Sequence, residues 1–262
     1  MKKTLIALAL VATAVSGSAM AWTPNGLGGT MEFGGTLTPK DVVNPWEVKM
    51  GTGTDMNTLN GSLKPNEKVV NITLSKSVPF LGIRTVNNKG FYGAPGISPK
   101  INYGNVIDVA NFVKGEVPFS IDVNSTATPA TKIGTLTTKL TAVGVGAETG
   151  DPHYNSVVAL EANSIFRGGL PQTRAEVMPV AQAKSVAAAL FSDIAANFDT
   201  LSLPENTGTA GSNYNPTNPL HQYSAYYASG LQSGASVTIT LDSPAAAGIV
   251  WKANFPITVS YQ

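Results

Sequence analysis

The sequence predicts an all-β protein, a β-sandwich that one short helical insertion interrupts. Many short segments alternate apolar and polar side chains, which is the pattern of strands with one buried face. Clusters of Gly, Pro, Asn and Ser separate these segments, as turns do. A single Ala-rich stretch has the four-residue spacing of a helix instead. β-Sandwiches and β-barrels are both built from such short strands and turns. Of the two, we favour the sandwich.

Residues 1–21 are predicted to be a secretory signal peptide. Two lysines precede an apolar run over residues 5–15, and Ala-Met-Ala at residues 19–21 forms a small-residue cleavage site. The run is too short to span a bilayer, and no later stretch approaches the ~20 apolar residues that a span needs. We expect an exported, unanchored mature chain.

The composition limits the partners and the sources of stability. A hydrophobic content of 43% supports a core for one large domain or two small ones. The formal net charge of +1 becomes slightly negative once the leader lysines are removed, so no basic footprint for nucleic acid is present. The chain has no cysteine, although an oxidising compartment permits disulfides. Packing or partners must therefore supply the stability.

The mature chain begins with an extension, residues 22–40, that contains the alternating stretch GLGGTMEFGGTLTP at residues 26–39. Its apolar face is formed by Leu27, Gly29, Met31, Phe33, Gly35 and Leu37. Glycine weakens a strand, so the two glycines on this face suggest that another backbone or a large side chain comes close. The pattern predicts a strand that enters a groove. The alternative is an ordinary edge strand folded back onto its own domain.

Three internal segments alternate in the same way and predict strands: VVNITLSKSV at 69–78, EVPFSIDVNS at 116–125 and ASVTITL at 235–241. Turn-forming clusters such as NNKGFYGAPGISP at 87–99 lie between them. The chain closes on NFPITVSYQ, which alternates Phe255, Ile257, Val259 and Tyr261. Chain termini are usually frayed and polar, so an apolar strand here is unusual, although it is also compatible with an ordinary core strand.

Residues 179–201, PVAQAKSVAAALFSDIAANFDTL, break the strand pattern and predict a helix. Apolar side chains recur four apart at Val186, Leu190, Ile194 and Phe198, and Pro179 suits a first helical turn. A polar loop follows before strand-like sequence returns at YSAYYASG, residues 223–230. We therefore place a helical insertion around residues 160–225 and expect it to carry function on the β scaffold.

The two ends of the chain carry a resemblance to a known family. A cleaved leader, a glycine-punctuated alternating extension, an all-β body and a closing strand with a penultimate Tyr resemble a chaperone–usher fimbrial subunit. More narrowly, the chain is similar to the Fae-type subunits of enterotoxigenic Escherichia coli, FaeG-like major subunits and their minor relatives. The segments that carry this similarity are WTPNGLGGTMEFGGTLT (22–38), WEVKMGTG (46–53), SIFRGGL (164–170), the Ala-rich helix and VWKANFPITVSYQ (250–262).

The resemblance implies an incomplete immunoglobulin-like β-sandwich over residues 41–262 that lacks its last strand. Such a domain leaves an apolar groove with unpaired backbone groups. A periplasmic chaperone fills the groove first, and at the outer-membrane usher the extension of another subunit replaces it by strand addition. Residues 27–37 are then the donor strand of a homo- or heteropolymer. Phe255, Ile257, Val259 and Tyr261 border the groove and pair with the chaperone.

The implied function is a subunit of an adhesive surface fimbrium that attaches bacteria to host cells. The resemblance also implies a carbohydrate site near the helical insertion of a major subunit, whereas minor subunits can be purely structural. Sugar sites combine aromatic faces with planar polar groups. The candidate glycan contacts are His153, Tyr154, Asn155, Arg167, His221 and Tyr223. All are residue types that also have ordinary packing roles, so both functions stay open.

No catalytic, cofactor or metal motif is found in the sequence. The two histidines lack any metal-ligand spacing, and there is no nucleophile elbow, P-loop or dinucleotide motif. Asp122 and Asn124 resemble the start of a calcium loop whose glycine and terminal Glu are missing. We expect no enzyme activity, no cofactor and no metal, although paired carboxylates have no sequence signature.

Overall fold

Strands make up most of the regular structure in the computed structural model, which describes residues 33–36, 43–51, 59–64, 66–127, 129–245 and 248–262. The chain divides into two units, residues 1–40 and 41–262. Of the first unit only residues 33–36 are described, and they are irregular in conformation with Phe33 89% exposed. The predicted signal peptide and the predicted donor residues Leu27, Gly29, Met31 and Leu37 lie outside the described residues.

The second unit contains the strands and the helix. In chain order the strands are β1 (Trp46–Met50), β2 (Val69–Thr73), β3 (Val78–Thr85), β4 (Phe91–Tyr92), β5 (Pro99–Asn102), β6 (Glu116–Ser125), β7 (Lys132–Glu148), β8 (Asn155–Ser156), β9 (Gln222–Leu231), β10 (Ser236–Leu241), β11 (Trp251–Ala253) and β12 (Thr258–Tyr261). The helix α1 (Val180–Leu190) lies between β8 and β9. The fold is the predicted all-β sandwich with a small helical insertion.

The long strand β7 organises the main sheet, whose order is β1-β3-β9-β7-β10-β2. Along one edge, β7 pairs with β9 and then β10, with Thr141 opposite Gly230 and Thr137 opposite Thr238. Along its other edge it pairs with β6 and β8. A second, two-stranded sheet pairs β5 with β12. All of these pairings are antiparallel.

The predicted alternation of β6 is confirmed. Its odd-numbered residues from Val117 to Val123 are buried in the main core, and the even-numbered residues between them are exposed. The predicted strands at 69–78 and 235–241 correspond to β2, the start of β3, and β10. Strands β2 and β10 turn alternate residues toward the core, which is the physical basis of the pattern, whereas β3 is buried at nearly every residue.

Strand β9 is buried on both faces because the insertion covers the sheet there. Tyr223 and Tyr227 belong to the main core, whereas Tyr226 and Ala228 pack in a second cluster with α1. In the main core the hydroxyl groups of Tyr227 and Tyr103 lie 2.5 Å apart. Burial raises the pKa of Tyr103 to about 12.

Helix α1 ends at Leu190, eleven residues before the end predicted from the sequence. Phe191 is extended, with φ −137°, and Ser and Asp follow it, which favour turns over helix. The turn places the Asp193 carboxylate 3.2 Å from Lys49 Nζ of β1. Ile194 is still buried in the helix cluster. No helix among the described residues is long and apolar enough to cross a membrane.

Candidate functional site

The last strands of the chain form a segment that is covered on only one side. From residue 251 to residue 262 the exposure alternates without a break, with every even-numbered residue exposed. The inward side chains all pack against the main core, yet each remains only half-buried: Trp251, Ala253, Phe255, Ile257, Val259 and Tyr261. A strand that has neighbouring strands along both edges usually buries such an apolar face.

The backbone of this segment is paired along one edge only. Among the described residues β11 pairs with β6 alone, and β12 pairs with β5 alone. The Val250 carbonyl accepts a hydrogen bond from the backbone of Thr126 beside β6, and Gln262 exchanges backbone hydrogen bonds with Ser98 beside β5. Even-numbered residues thus face both partners, which places β6 and β5 along the same edge. Residues 254–257 make no backbone hydrogen bond to another described residue. Within the described part of the chain, the opposite edge therefore keeps backbone donors and acceptors with which an added strand can pair.

Two adjoining cavities lie along this segment, and we call them together the C-terminal groove. The large cavity, of about 630 Å³, is lined by Met50, Gly51, Leu59, Asn60, Pro79, Phe80, residues 249–255 and Ile257. The small cavity, of about 380 Å³, is lined by Gly61, Leu63, Lys64, Val70, Ile72, Ile133, Ile239, Leu241, Ala245, Gly248, Ile249 and Trp251. Ile249 and Trp251 line both cavities, so the groove is continuous past them.

Phe255 forms the floor of the large cavity. Its ring centroid lies 4.8 Å from that of Phe119, 5.0 Å from that of Phe80 and 5.4 Å from that of Tyr103. These contacts hold the C-terminal segment onto β6, β3 and the residue after β5. The floor is consequently rigid and apolar.

The chemistry of the groove suits apolar side chains from an extended chain. Its described lining includes the cations Lys64 and Lys252 and the amides Asn60 and Asn254, and the other lining residues are apolar. No Asp, Glu, His, Ser or Tyr is found among these described lining residues. The groove can therefore bind an extended segment by burial of its apolar side chains and by backbone pairing.

The structure places the four predicted C-terminal residues on one inward face but not in one cavity. Phe255 and Ile257 line the large cavity, whereas Val259 and Tyr261 lie in β12 opposite Ile101 and Pro99. Trp251, Ala253 and Ile249 also line the groove and were not among the residues predicted from the sequence. The alternation continues through Trp251 and Ala253 but not through the exposed Ile249, and Pro256, which cannot donate a backbone hydrogen bond, interrupts the strand between β11 and β12.

Two of the candidate glycan contacts are buried in the base of the insertion. The Tyr154 hydroxyl donates to Glu205 Oε2 at 2.5 Å, and Lys184 Nζ donates to the same oxygen at 2.7 Å. Lys184 and then Tyr154 hold the pKa of Glu205 below its ordinary value. Asn155 donates to the His153 carbonyl at 2.8 Å and is 3% exposed. Tyr154 and Asn155 thus connect loops to one another.

The candidates His221 and Tyr223 meet at Glu148, at the end of β7. His221 Nδ1 lies 2.5 Å from Glu148 Oε1, and the Tyr223 hydroxyl donates to the same oxygen at 3.2 Å. Burial, with a further contribution from Glu148, raises the pKa of Tyr223 well above its ordinary value. Tyr223 is buried, whereas His221 is half-buried and His153 is exposed.

Arg167 lies in a different place from the other candidates. Its guanidinium donates to the Ala159 carbonyl at 2.6 Å, and its own carbonyl accepts a hydrogen bond from the backbone of Ile101 in β5. The structure therefore brings together the candidates around residues 148–155 and 221–223, and it places Arg167 beside the second sheet.

The known proteins to which this chain is similar are fimbrial subunits. Residues 1–262 match the K88 fimbrial family model, described as fimbrial major and minor subunits. The chain is 28% identical to the K88 fimbrial protein AC of Escherichia coli over 288 residues, with 100% of both chains covered. It is 26% identical to the K88 fimbrial protein AD and 28% identical to the F41 fimbrial protein of Escherichia coli, again over the full length of each.

Proposed function

The chain belongs to the K88 family of major and minor fimbrial subunits, and we propose that it polymerises by placing its N-terminal extension in the C-terminal groove of a neighbouring subunit. As a member of this family it is a component of adhesive surface fimbriae. The half-buried C-terminal segment, one edge of which pairs with no other described strand along an apolar groove, is the observation that carries the proposal. An added strand would cover the half-exposed apolar side chains and would also pair with the backbone groups of that edge.

The two segments match in length and pattern. The apolar face of residues 27–37 and the inward face of residues 251–261 each follow a two-residue period over the same number of residues. Burying Leu27, Met31, Phe33 and Leu37 at ~1.5–3 kcal/mol each yields on the order of 6–12 kcal/mol before ordering costs. Backbone pairing adds to this energy. Gly29 and Gly35 suit positions where the groove lies close beneath the added strand.

The exposed groove also indicates which other proteins take part in assembly. An open apolar groove beside an unpaired edge favours aggregation, so we propose that a periplasmic chaperone covers it until an outer-membrane usher transfers the subunit. Other copies of this chain, or related fimbrial subunits, supply and accept the donor strand. The proposal assigns no catalytic step, cofactor or metal to the chain.

An assembly assay tests the proposal. Purified subunit–chaperone complex of the full mature chain is compared with a chain that lacks residues 22–38, and polymers are detected as heat-labile, detergent-resistant oligomers on a gel. We expect the oligomer ladder only with the full chain. A truncated chain that assembles equally well, or a full chain that is a stable monomer without chaperone, would show that the extension completes its own domain instead.

A second function, glycan binding, is supported by exposed groups around His221. Tyr92 is 64% exposed and lies opposite Gln222 in the β4–β9 pair, and the neighbouring Leu220 is 82% exposed. We propose that Tyr92, His221 and His153 contact sugar while the buried Tyr154, Asn155 and Tyr223 position the loops. Arg167 would need a separate contact beside β5.

A glycan array with the purified subunit tests this second function. We expect a signal that is lost in Tyr92→Ala, retained in Tyr92→Phe and weakened in His221→Ala. Silence across the array, with normal polymer formation, would favour a purely structural subunit. A signal that survives all three substitutions would place the sugar site elsewhere, and Arg167→Ala would then test the separate region.

A further inference from the structure

The Asn60–Gly61 peptide bond lies where the two cavities of the C-terminal groove meet. Asn60 lines the large cavity and Gly61 lines the small one. Leu59 before them is buried and Leu63 after them is half-buried, while residues 60–62 are exposed. The dipeptide thus forms an exposed span between two apolar anchors on the groove rim.

This dipeptide is the most reactive kind of asparagine sequence. The chain has two Asn-Gly pairs, Asn25–Gly26 in the extension and Asn60–Gly61 on the groove rim. Glycine has no side chain to shield its backbone nitrogen, so that nitrogen can approach the preceding asparagine carboxamide. Among the described residues, neither the Asn60 carboxamide nor the Gly61 nitrogen makes a hydrogen bond that would hold it away.

Side chains of β2 lie close to Gly61, so the packing at this position favours glycine. A Cβ atom on Gly61 would lie 2.5 Å from Val70 Cγ2 and 3.2 Å from Ile72 Cγ1. A larger residue would slow the chemistry but would require the Val70 and Ile72 side chains, which line the small cavity, to move. The shape of the groove therefore keeps the Gly61 nitrogen unshielded.

We propose that Asn60 is a self-modification site that adds a negative charge to the groove rim, whose lining also carries the cations Lys64 and Lys252, while no donor strand covers the groove. The Gly61 nitrogen gives its proton to hydroxide and attacks Asn60 Cγ, the new C–N bond closes a succinimide ring, and the side-chain nitrogen takes a proton from water and leaves as ammonia. Water then opens either ring carbonyl and yields aspartate or isoaspartate. No oxidant, metal or enzyme is needed.

The modification has a consequence for assembly, and this part rests on the proposed function. A new carboxylate at residue 60 would sit on the rim of an apolar groove, where its burial under a donor strand is unfavourable. Isoaspartate would also lengthen the backbone between the two cavities. A donor strand that covers the rim restricts the movement that ring closure needs, so assembled subunits should be protected and unassembled ones should lose acceptor capacity.

Peptide mapping by mass spectrometry tests the chemistry on the purified full mature chain during incubation at mildly alkaline pH. We expect loss of the unmodified Asn60 peptide, with isoaspartate among the products, well ahead of the peptides that contain Asn71 and Asn124. The Asn60→Gln variant should show no modification at this position. An unchanged Asn60 peptide, in a sample whose Asn25–Gly26 peptide is deamidated, would overturn the proposal.

The link to assembly is tested separately. The same mapping on purified fimbriae should show slower modification of Asn60 than in the free chain. In the polymerisation assay Asn60→Asp should accept donor strands more slowly than Asn60→Gln. Equal rates in both comparisons would overturn the link to assembly, whereas the proposed function itself stands or falls on deletion of residues 22–38.

Discussion

The Phe255 ring packs edge-on against the Phe119 ring, with centroids 4.8 Å apart and an interplanar angle of 64°. Phe119 belongs to β6, and Phe255 lies in the irregular link between β11 and β12. This contact fixes the C-terminal segment to the core at the one stretch where no backbone hydrogen bond to a described residue does so. The groove floor therefore depends on side-chain packing.

Truncation of Phe255 should weaken the domain and the groove together. Phe255 is half-buried, so we expect Phe255→Ala to lower the free energy of unfolding by about 2 kcal/mol, less than the ~3–5 kcal/mol of a fully buried phenylalanine. Urea denaturation of the purified subunit measures this loss. Ser260→Ala, on the exposed face of β12, is the control and should change stability by less than about 0.5 kcal/mol. Equal effects would show that Phe255 does not anchor the segment.

The two faces of the extension should respond differently to the same charge. Met31→Asp places a carboxylate on the predicted inward face, where burial is costly, and should block donation in the polymerisation assay. Thr30→Asp places the same carboxylate on the outward face and should leave donation intact. Gly29→Leu should also block donation, by steric conflict with the groove.

Each of these variants should still form the subunit–chaperone complex, because the changes are confined to the donated segment. Recovery of that complex is therefore measured before polymerisation. If Met31→Asp and Thr30→Asp polymerise alike, the two-residue period does not describe how the extension binds.

Glu205→Gln should destabilise the insertion in a pH-dependent way. Lys184 and Tyr154 lower the pKa of Glu205 from its ordinary value of 4.5. A carboxyl group whose pKa is lower in the folded state stabilises that state above the unfolded pKa, and this contribution disappears as the pH falls through the folded pKa. Because Glu205 is partly exposed, we expect a loss of about 1 kcal/mol or less at neutral pH.

Urea denaturation at neutral pH and in a series of acidic buffers measures this dependence. The wild-type chain and Glu205→Gln should converge as the pH falls below the ordinary range of glutamate. Glu161→Gln is a matched control, because Glu161 is exposed and its carboxylate makes no ion pair with a described residue. A constant difference between wild type and Glu205→Gln at all pH values would show that shape, not charge, accounts for the effect.

Tyr227→Phe should test the buried hydroxyl cluster of the main core. The Tyr227 hydroxyl lies 2.5 Å from that of Tyr103 and 3.2 Å from the Gly169 carbonyl, to which it donates. Its removal leaves that carbonyl without this donor, so we expect a loss of about 1–3 kcal/mol. Thermal and urea denaturation measure the change. Tyr92→Phe, at a 64% exposed position, should leave stability unchanged, and an equal loss there would contradict the role of burial.

Local pattern was sufficient to predict β6 and β10. Each has one face in the core and one exposed, so burial follows the two-residue period directly. The same pattern does not describe β9, whose residues are buried on both faces. Its outer face is covered by a helix that is distant from much of β9 in the sequence, and no local period encodes that cover.

Helix propensity and apolar spacing predicted the start of helix α1 but not its end. The Ala-rich run and Pro179 correctly placed its start, whereas the apolar spacing placed its end too late, because Ile194 still packs in the helix cluster beyond the turn at Ser192 and Asp193. Lys49 and Arg84, from β1 and β3, bind Asp193 just beyond the helix. These ion pairs favour a turn at a point where the apolar spacing alone would have continued the helix.

The sequence by itself determined the all-β class and the family that the chain resembles, and it predicts the export signal and the strand character of the N-terminal extension. Those features depend on local order along the chain, which periodicity records. Only the tertiary structure decided that the groove extends to Trp251 and Leu59, that Tyr154, Asn155 and Tyr223 are buried, and that Asn60–Gly61 lies between two cavities. Those facts depend on which distant segments meet, and burial between distant segments has no signature in either segment alone.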